Sequence, residues 1–303
     1  MAPRIVAIFG PTAVGKTGVA IELAELLRAR GEDPVAVNCD SIQVYRGLEL
    51  LSGAADAAER ERLEHRLLSF VDPAEEFSAG RYAELAHAEI DSLLGEGRRP
   101  LVVGGTGLYL RAALAELDLR EPVPVELRAA VEREVAARGP GALHAELPLE
   151  LAASISPGDR KRVARVVELQ RAGAEPHRGG EGIWTAKLRH PTLVVGLAMD
   201  RAELARRIDA RVDAMLAAGA AEQARALAER GVSRTARAAL GFEQLLEGHD
   251  AAPPPEAVDA IKAAHRRYAR RQLTWMRRME HVRVFDRTGL SDRSTAERIE
   301  PLL

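Results

Sequence analysis

The sequence has little of what would tie it to an oxidising compartment or to a membrane. Its 303 residues include one cysteine, Cys39, which excludes an intrachain disulfide framework and a cysteine metal cluster. No apolar run approaches the roughly 20 residues that a membrane span needs. Residues 1–10 show no cationic leader followed by an apolar stretch and a cleavage site. We therefore expect a cytoplasmic protein that has no membrane partner.

The sequence also lacks an excess of charge of either sign. Its 43 lysines and arginines nearly balance 45 acidic residues, so the formal net charge is −2. Composition therefore gives no global reason to expect nucleic-acid binding, and any basic surface must be local. Hydrophobic residues make up 47% of the chain, which suits a packed globular core of one large domain or of a domain with a smaller companion.

Short apolar runs of strand length alternate with longer helical stretches. Each run is nearly continuous, as in strands that are buried on both faces of a parallel sheet. The runs lie at residues 5–9, 35–37, 67–71, 101–103, 193–199 and 282–285, and helical patterns lie at 17–29 and 78–94. The alternation predicts an α/β fold with a parallel sheet flanked by helices.

The alternation is interrupted after about residue 119. Two helical stretches follow, at 125–138 and 159–172, with no convincing strand between them. Prolines and glycines bracket this part of the chain, at Pro122, Pro124, Gly179 and Gly180. We predict a small helical insertion domain over residues 120–182, within a core formed by residues 1–119 and 183–303 whose C-terminal part is mostly helical.

A phosphate-binding loop follows the first predicted strand. Residues 10–17, GPTAVGKT, match G-x-x-x-x-G-K-[ST] in full and precede a predicted helix, which is the context that the motif requires. Backbone N–H groups and the helix N-terminus attract a phosphate, Lys16 reaches its outer oxygens, and the Thr17 hydroxyl can hold Mg²⁺. The fold is therefore predicted to be P-loop NTPase-like. The phosphate-binding residues are Gly10, Thr12, Ala13, Val14, Gly15, Lys16 and Thr17.

Two further segments follow predicted strands. Asp40 comes just after the strand at 35–37, so we expect it to face the same crevice as Lys16, because open parallel sheets bind ligands at the carboxyl ends of their strands. A solvated loop acid is the alternative. Gln43 could bond an adenine edge or cap a turn. The glycines around Thr106, at 104–107, permit either close approach to a ligand or a tight structural turn.

Cations concentrate on one helical segment near the C-terminal end. Between residues 262 and 278 there is no acid, and the cations are Lys262, Arg266, Arg267, Arg270, Arg271, Arg277 and Arg278. We expect an opposite apolar stripe to dock on the core, formed by Ile261, Ala264, Tyr268, Trp275 and Met279. The basic side would then bind a phosphate backbone, although a solvated helix face or a membrane-binding surface is the alternative.

Four strings in this order resemble those of tRNA dimethylallyltransferases. They are GPTAVGKT at 10–17, DSIQVYRGLEL at 40–50, PLVVGGTGLYLRA at 100–112 and RRYARRQLTWMRR at 266–278. The resemblance covers about residues 5 to 286. It implies transfer of a dimethylallyl group from dimethylallyl pyrophosphate to the exocyclic amine of the adenosine 3′ to the anticodon. It also implies Mg²⁺ as cofactor and the anticodon stem-loop of tRNA as partner.

The resemblance also implies roles for individual residues. Asp40 would be the catalytic base and Thr17 the metal ligand. A family arginine that binds pyrophosphate would be Arg211 or Arg207, of which we favour Arg211, and a solvated helix charge is the alternative for either one. The implied tRNA contacts are Asp40, Ser41, Ile42, Gln43, Thr106, Arg160, Lys161, Arg162, Arg165, Arg267 and Arg271. We expect a monomer.

The chain departs from the family pattern at three places. Residues 50–55, LLSGAA, replace an Ile-Gly-Thr-Ala-Lys type of sequence, Arg66 replaces a second histidine, and Gly158 replaces an asparagine. Three other functions stay open from the sequence. They are prenyl transfer to free adenine nucleotides, a P-loop kinase or NTPase, and an RNA-binding protein without catalysis.

Overall fold

A computed structural model describes residues 4–117, 119, 123–174, 187–247 and 253–303. The chain divides into two compact units, one formed by residues 1–116 and 187–303 and the other by residues 117–186. The domain boundaries predicted from the sequence, at residues 120 and 182, lie outside the described residues, as do Pro122, Gly179 and Gly180.

The first unit is built on a parallel sheet that has six strands within the described residues. In chain order these are β1 (Ile5–Phe9), β2 (Pro34–Asn38), β3 (His65–Arg66), β4 (Arg99–Gly104), β5 (Thr192–Ala198) and β6 (Arg283–Asp286). The spatial order is β3-β2-β4-β1-β5-β6. Strand β1 pairs with β4 on one side and β5 on the other, which buries every one of its residues. The predicted fold class is confirmed.

The strand predicted at residues 67–71 is wrong. The short strand β3 lies just before it, with His65 paired to Ala36 of β2. Leu67 and Ser69 follow with φ angles of 56° and 50°, a left-handed backbone that cannot continue an extended strand. The apolar run therefore leaves the sheet, and Val71 makes an isolated bridge to Tyr45.

Helices α1 to α5 connect the first strands of the sheet. They are α1 (Lys16–Ala29), α2 (Glu49–Ser52), α3 (Ala57–Arg62), α4 (Ala79–Gly95) and α5 (Gly107–Leu114). Helix α1 buries Leu23 and Leu27 in a core that also contains Val6 and Ile8 of β1. This packing fixes the start of α1 beside the carboxyl end of β1, which is where the phosphate-binding loop lies.

The second unit contains α6 (Val125–Arg138), α7 (Pro140–Ala145), α8 (Leu149–Ala152) and α9 (Arg160–Arg171). It has a separate apolar core, in which Val131 and Val135 of α6 pack with Val163 of α9. The Asp159 carboxylate caps α9 by accepting a hydrogen bond from the Arg162 amide.

After β5 the first unit is mostly helical. Its helices are α10 (Arg201–Ala217), α11 (Ala220–Arg230), α12 (Arg234–Arg237), α13 (Phe242–Leu246), α14 (Pro255–Arg278) and α15 (Asp292–Ile299). Ala296 and Ile299 of α15 join the same core as α1. Among the described residues, every helix is too short or too polar to cross a membrane.

Candidate active site

The phosphate-binding loop joins β1 to α1. Its backbone is left-handed at Ala13, with φ 64°, and at Gly15, with φ 88°, so the chain turns sharply before α1 begins at Lys16. The Lys16 ammonium donates to the carbonyls of Gly10 at 3.2 Å and Pro11 at 3.0 Å. The pKa of Lys16 is lowered to about 8, mainly by burial and also by nearby Arg211, while Asp40 opposes both effects. Lys16 is thus a desolvated cation near a second cation and a carboxylate.

The Asp40 carboxylate lies just after β2 and stabilises the turn that follows it. Its Oδ1 accepts hydrogen bonds from the amides of Ile42 at 3.0 Å and Gln43 at 3.5 Å, and its own amide donates to Asn38 Oδ1 at 3.1 Å. Within the described residues, its Oδ2 accepts no hydrogen bond. One carboxylate oxygen is therefore fixed and the other is available to a substrate.

Arg211 reaches the segment that departs from the family pattern. Its Nη2 donates to the carbonyls of Ser52 at 3.0 Å and Gly53 at 3.1 Å. A Cβ on Gly53 would lie 1.8 Å from that nitrogen, and Gly53 has φ 58°, so this position requires glycine. Burial lowers the pKa of Arg211, whereas Asp40 raises it. The carbonyls of residues 52 and 53 thus bind the desolvated guanidinium of Arg211.

The side chains of Arg207 and Gln43 make contacts within the protein that their sequence positions do not indicate. Arg207 lies one turn before Arg211 on α10, is 38% exposed, and pairs with Glu203 at 3.1 Å. The Gln43 side-chain amide donates to the Ser52 and Gly53 carbonyls, at 3.3 and 3.0 Å. It therefore ties the turn after Asp40 to the residues that hold Arg211.

Thr106 joins the glycine turn after β4 to the segment after β2. Its hydroxyl accepts from the Ser41 amide at 3.1 Å and lies 3.3 Å from the Ser41 hydroxyl. A Cβ on Gly104 would lie 2.5 Å from the backbone of Cys39. Gly104 is therefore explained by the close approach of two protein segments, which places Ser41 and Thr106 side by side.

Gln272 is a residue that the sequence analysis missed. It is 3% exposed and lies on α14. Its Oε1 accepts from the Thr12 amide of the phosphate-binding loop at 2.8 Å, while its Nε2 donates to the Gly105 carbonyl at 2.7 Å. One amide therefore links the two loops. A buried glutamine inside a cationic helical segment was the signal that could have found it.

The buried face of α14 is not the predicted apolar stripe. Ile261 and Met279 are buried as expected, but Ala264, Tyr268 and Trp275 are only partly buried. The buried residues within the helix are Ala257, Ile261, His265, Ala269, Gln272 and Met276. Their spacing of three and four residues defines one helical face, and the prediction failed because two of its members are polar.

The cations of α14 fall into two groups. Lys262 pairs with Asp213 at 2.7 Å and Arg266 with Asp209 at 2.5 Å, both across to α10. The exposed cations are Arg267, Arg270, Arg271, Arg277 and Arg278. The Arg271 guanidinium also lies 5.3 Å from the centre of the Tyr268 ring. The exposed basic surface of α14 thus contains five cations rather than the seven that the sequence predicts.

In the second unit, cations cluster at the start of α9. Arg160, Lys161 and Arg162 are exposed in its first turn, and Arg165 pairs with Glu168 at 3.2 Å. Arg162 lies 3.6 Å from the Asp159 carboxylate that caps the helix, whereas Arg160 and Lys161 oppose the helix dipole, as positive side chains at a helix N-terminus do.

A complete phosphate-binding loop on a parallel sheet, with a strand-end carboxylate and two desolvated cations, defines a P-loop α/β enzyme that acts on a phosphate-bearing substrate. The family model for IPP transferase matches residues 43–279 of the chain. The tRNA dimethylallyltransferase of Anaeromyxobacter dehalogenans is 43% identical over 289 residues, which cover 92% of this chain and 93% of the relative. This chain belongs to the tRNA dimethylallyltransferase family, a family of prenyltransferases, as its sequence motifs predict.

Solved structures agree with this assignment. The full-length tRNA isopentenylpyrophosphate transferase from Bacillus halodurans matches with a TM-score of 0.70 and 33% identity, covering 99% of this chain and 95% of that one. A eukaryotic dimethylallyltransferase acting on tRNA matches with a TM-score of 0.72 and 23% identity, covering 94% and 74% respectively, and supports the fold.

Proposed function

We propose that this protein transfers a dimethylallyl group from dimethylallyl pyrophosphate to the exocyclic amine of the adenosine 3′ to the anticodon in tRNA, releasing pyrophosphate. The observation that carries the proposal is the convergence of Arg211, Asp40 and Lys16 at the end of the sheet. Arg211 and the Gln43 side chain share the Ser52 and Gly53 carbonyls, and the Gln43 backbone amide donates to Asp40 Oδ1. Burial lowers the pKa of Lys16, and Arg211 and Asp40 act on that pKa in opposite directions. Two desolvated cations match a leaving pyrophosphate, and a carboxylate beside them matches a base.

The reaction balances with these groups. The bond between C1 of the prenyl group and the pyrophosphate oxygen breaks, and its electron pair leaves on the pyrophosphate. The amine nitrogen of adenosine forms the new bond to C1 and passes a proton to Asp40. Oδ1 of Asp40 is held by two backbone amides, so Oδ2 is the oxygen that receives the proton.

The residues also fit a magnesium ion held mainly by the substrate. Among the described residues, no group of three or more His, Cys, Asp or Glu side chains could hold a metal unaided. Mg²⁺ in phosphate sites is bound by few protein oxygens together with substrate phosphates and water. Thr17, the second residue of α1, would supply such an oxygen. When bound, the ion neutralises charge that develops on the pyrophosphate.

The tRNA would be bound by the exposed cations of each unit. On α14 these include Arg267 and Arg271, and on α9 they are Arg160, Lys161 and Arg162. Arg160 and Lys161 oppose their own helix dipole and so favour an anionic partner. We also propose that Ser41, Ile42, Gln43 and Thr106 lie against the target base. That base must leave its stack to reach Asp40. The monomeric state and the cytoplasmic location stay predictions.

The test is transfer of labelled dimethylallyl from its pyrophosphate, with Mg²⁺, to unmodified tRNA and separately to AMP. We expect label on tRNA alone, at the adenosine 3′ to the anticodon. Label on AMP as well would indicate a free-nucleotide prenyltransferase. No label on either acceptor, with a nucleoside triphosphate hydrolysed instead, would contradict the proposal and favour a P-loop NTPase.

A further inference from the structure

Arg287 is a buried arginine that the catalytic roles above do not use. It directly follows β6 and is 1% exposed. Its backbone amide donates to the Ala198 carbonyl at the end of β5, at a distance of 3.0 Å. The side chain therefore starts from the carboxyl edge of the sheet, the edge that also carries the phosphate-binding loop.

The guanidinium of Arg287 contacts the backbone of that loop. Its Nη1 donates to the Gly15 carbonyl at 3.2 Å, and its Nη2 bonds the Asp292 carboxylate at 2.6 Å and the Leu290 carbonyl at 3.3 Å. Its Nε has no hydrogen-bond partner among the described residues. Asp292, the first residue of α15, is 42% exposed in its side chain, so the pair has one buried and one accessible member.

Two glycines of the loop and helix make room for this pair. A Cβ on Gly15 would lie 2.3 Å from Arg287 Nη1, and a Cβ on Gly18 would lie 2.0 Å from Asp292 Oδ2. The Arg287–Asp292 pair therefore packs directly against the backbone at the start of α1 and leaves no room for a side chain at either glycine.

Stability alone is a poor explanation for a guanidinium in this place. Taking a charge out of water is expensive, and apolar side chains of similar volume often replace buried ion pairs with no loss of stability.

The contact between Arg287 and the phosphate-binding loop offers a different explanation. A trans peptide is planar, so its C=O and N–H groups point in opposite directions. The Gly15 carbonyl accepts from both Val19 N, at 3.1 Å, and Arg287, which aims the Lys16 amide away from α1 and into the loop.

We propose that Arg287, braced by Asp292, is a positioning residue for the pyrophosphate of the donor. It fixes the peptide between Gly15 and Lys16 so that the Lys16 amide donates to the pyrophosphate. The inference rests on the proposed function, because that function makes a pyrophosphate the anion bound at this loop. Arg287 itself touches neither the donor nor the acceptor.

The test compares Arg287→Met, Arg287→Lys and Asp292→Ala with Arg293→Met. Arg293 is an exposed neighbour on α15 that pairs with Glu297 at 3.0 Å and with Glu22 of α1 at 3.8 Å, and it does not contact the phosphate-binding loop. For each variant we would measure kcat, the KM for dimethylallyl pyrophosphate, the KM for tRNA, and the calorimetric Kd for inorganic pyrophosphate with Mg²⁺. We expect Arg287→Met to raise the donor KM and the pyrophosphate Kd by about tenfold, since small misplacements of binding groups have effects of this size or larger. The KM for tRNA should not change.

The remaining variants separate positioning from folding. Arg287→Lys can still reach one acceptor and should recover part of the donor affinity, Asp292→Ala should weaken it less than Arg287→Met, and Arg293→Met should match wild type. An unchanged donor KM in Arg287→Met, or a loss of kcat with both KM values unchanged, would overturn the inference. If Arg287→Met does not fold, unchanged pyrophosphate affinity in Asp292→Ala would overturn it. Wild-type protein that binds pyrophosphate but transfers no prenyl group would contradict the proposed function instead.

Discussion

At the scale of single residues, Asp40 combines a fixed oxygen with an available one. Its Oδ1 accepts the Ile42 and Gln43 amides, and its charge acts on both Lys16 and Arg211. A base that must take a proton as a bond forms needs this combination, because its position must be set without using up both oxygens.

Replacing Asp40 by asparagine tests its role as base. The asparagine side chain would keep an Oδ1 acceptor for the turn but could not take the proton. We therefore expect the single-turnover rate constant to fall by about 10²–10⁴-fold, the usual contribution of a general base. Asp72→Asn is the matched control, because Asp72 also caps a turn, through the Ala74 amide, but is exposed. Equal activity of the two variants would remove Asp40 from the mechanism.

The lowered pKa of Lys16 predicts a pH dependence. The charged ammonium is the form that attracts pyrophosphate, and with a pKa of about 8 it is lost as the pH rises through that value. Since kcat/KM reports the free enzyme, we expect kcat/KM for the donor to fall above about pH 8. The measurement is a profile over roughly two pH units on either side. Lys16→Arg should be slower but level above that pH, and a wild-type profile equally level would contradict the prediction.

Residue positions were predictable where the signal is local. The phosphate-binding loop and Asp40 are visible because eight consecutive residues, or a strand and the acid after it, carry the pattern. Arg211 and Gln272 bond partners that lie 159 and 260 residues away in the chain, at Ser52 and Thr12. No local pattern reports such contacts, so their partners were out of reach.

At the scale of elements, α10 shows that residues on one helical face can have different environments. Arg207 and Arg211 are four residues apart, yet Arg207 meets Glu203 of its own helix while Arg211 meets the carbonyls of residues 52 and 53. Helical spacing predicts a shared direction but not the neighbour that each side chain encounters.

The two arginines of α10 form a matched pair for mutation. We expect Arg211→Met to lower kcat/KM for the donor by roughly 10²-fold, which is typical when one group that stabilises developing charge is removed. Arg207→Met should have little effect, because its exposed pair with Glu203 is worth little. The measurement is donor kcat/KM at saturating tRNA. The opposite ranking would assign the pyrophosphate contact to Arg207.

At the scale of the whole molecule, a net charge of −2 coexists with a local basic surface. Pairing of Lys262 and Arg266 with acids of α10 removes two cations from that surface, while Arg267 and Arg271 stay exposed on the same helix. Total charge therefore says little about what the protein binds, and the arrangement of charge says more.

Salt dependence of tRNA binding tests this division. Each cation that contacts a phosphate contributes about one unit to the slope of log K against log salt concentration. We expect the double variant Arg267→Ala/Arg271→Ala to bind tRNA more weakly and to reduce the slope by about two. Lys262→Ala should leave the slope unchanged because its partner is Asp213. A reduction of about one by Lys262→Ala would show that ion pairing does not remove Lys262 from the tRNA surface.

The central position of β1 has a consequence for synthesis on the ribosome. This strand is made before both of its neighbours, β4 and β5, and β5 begins at Thr192. At about 5–20 residues per second, β1 waits roughly 10–40 s for that partner. Arg287, which contacts the phosphate-binding loop, leaves the ribosome later still. A nascent chain stalled before residue 192 should therefore be cleaved by protease within β1, whereas a released chain that contains all six strands should be protected. Strand β1 would thus leave the ribosome long before it becomes native.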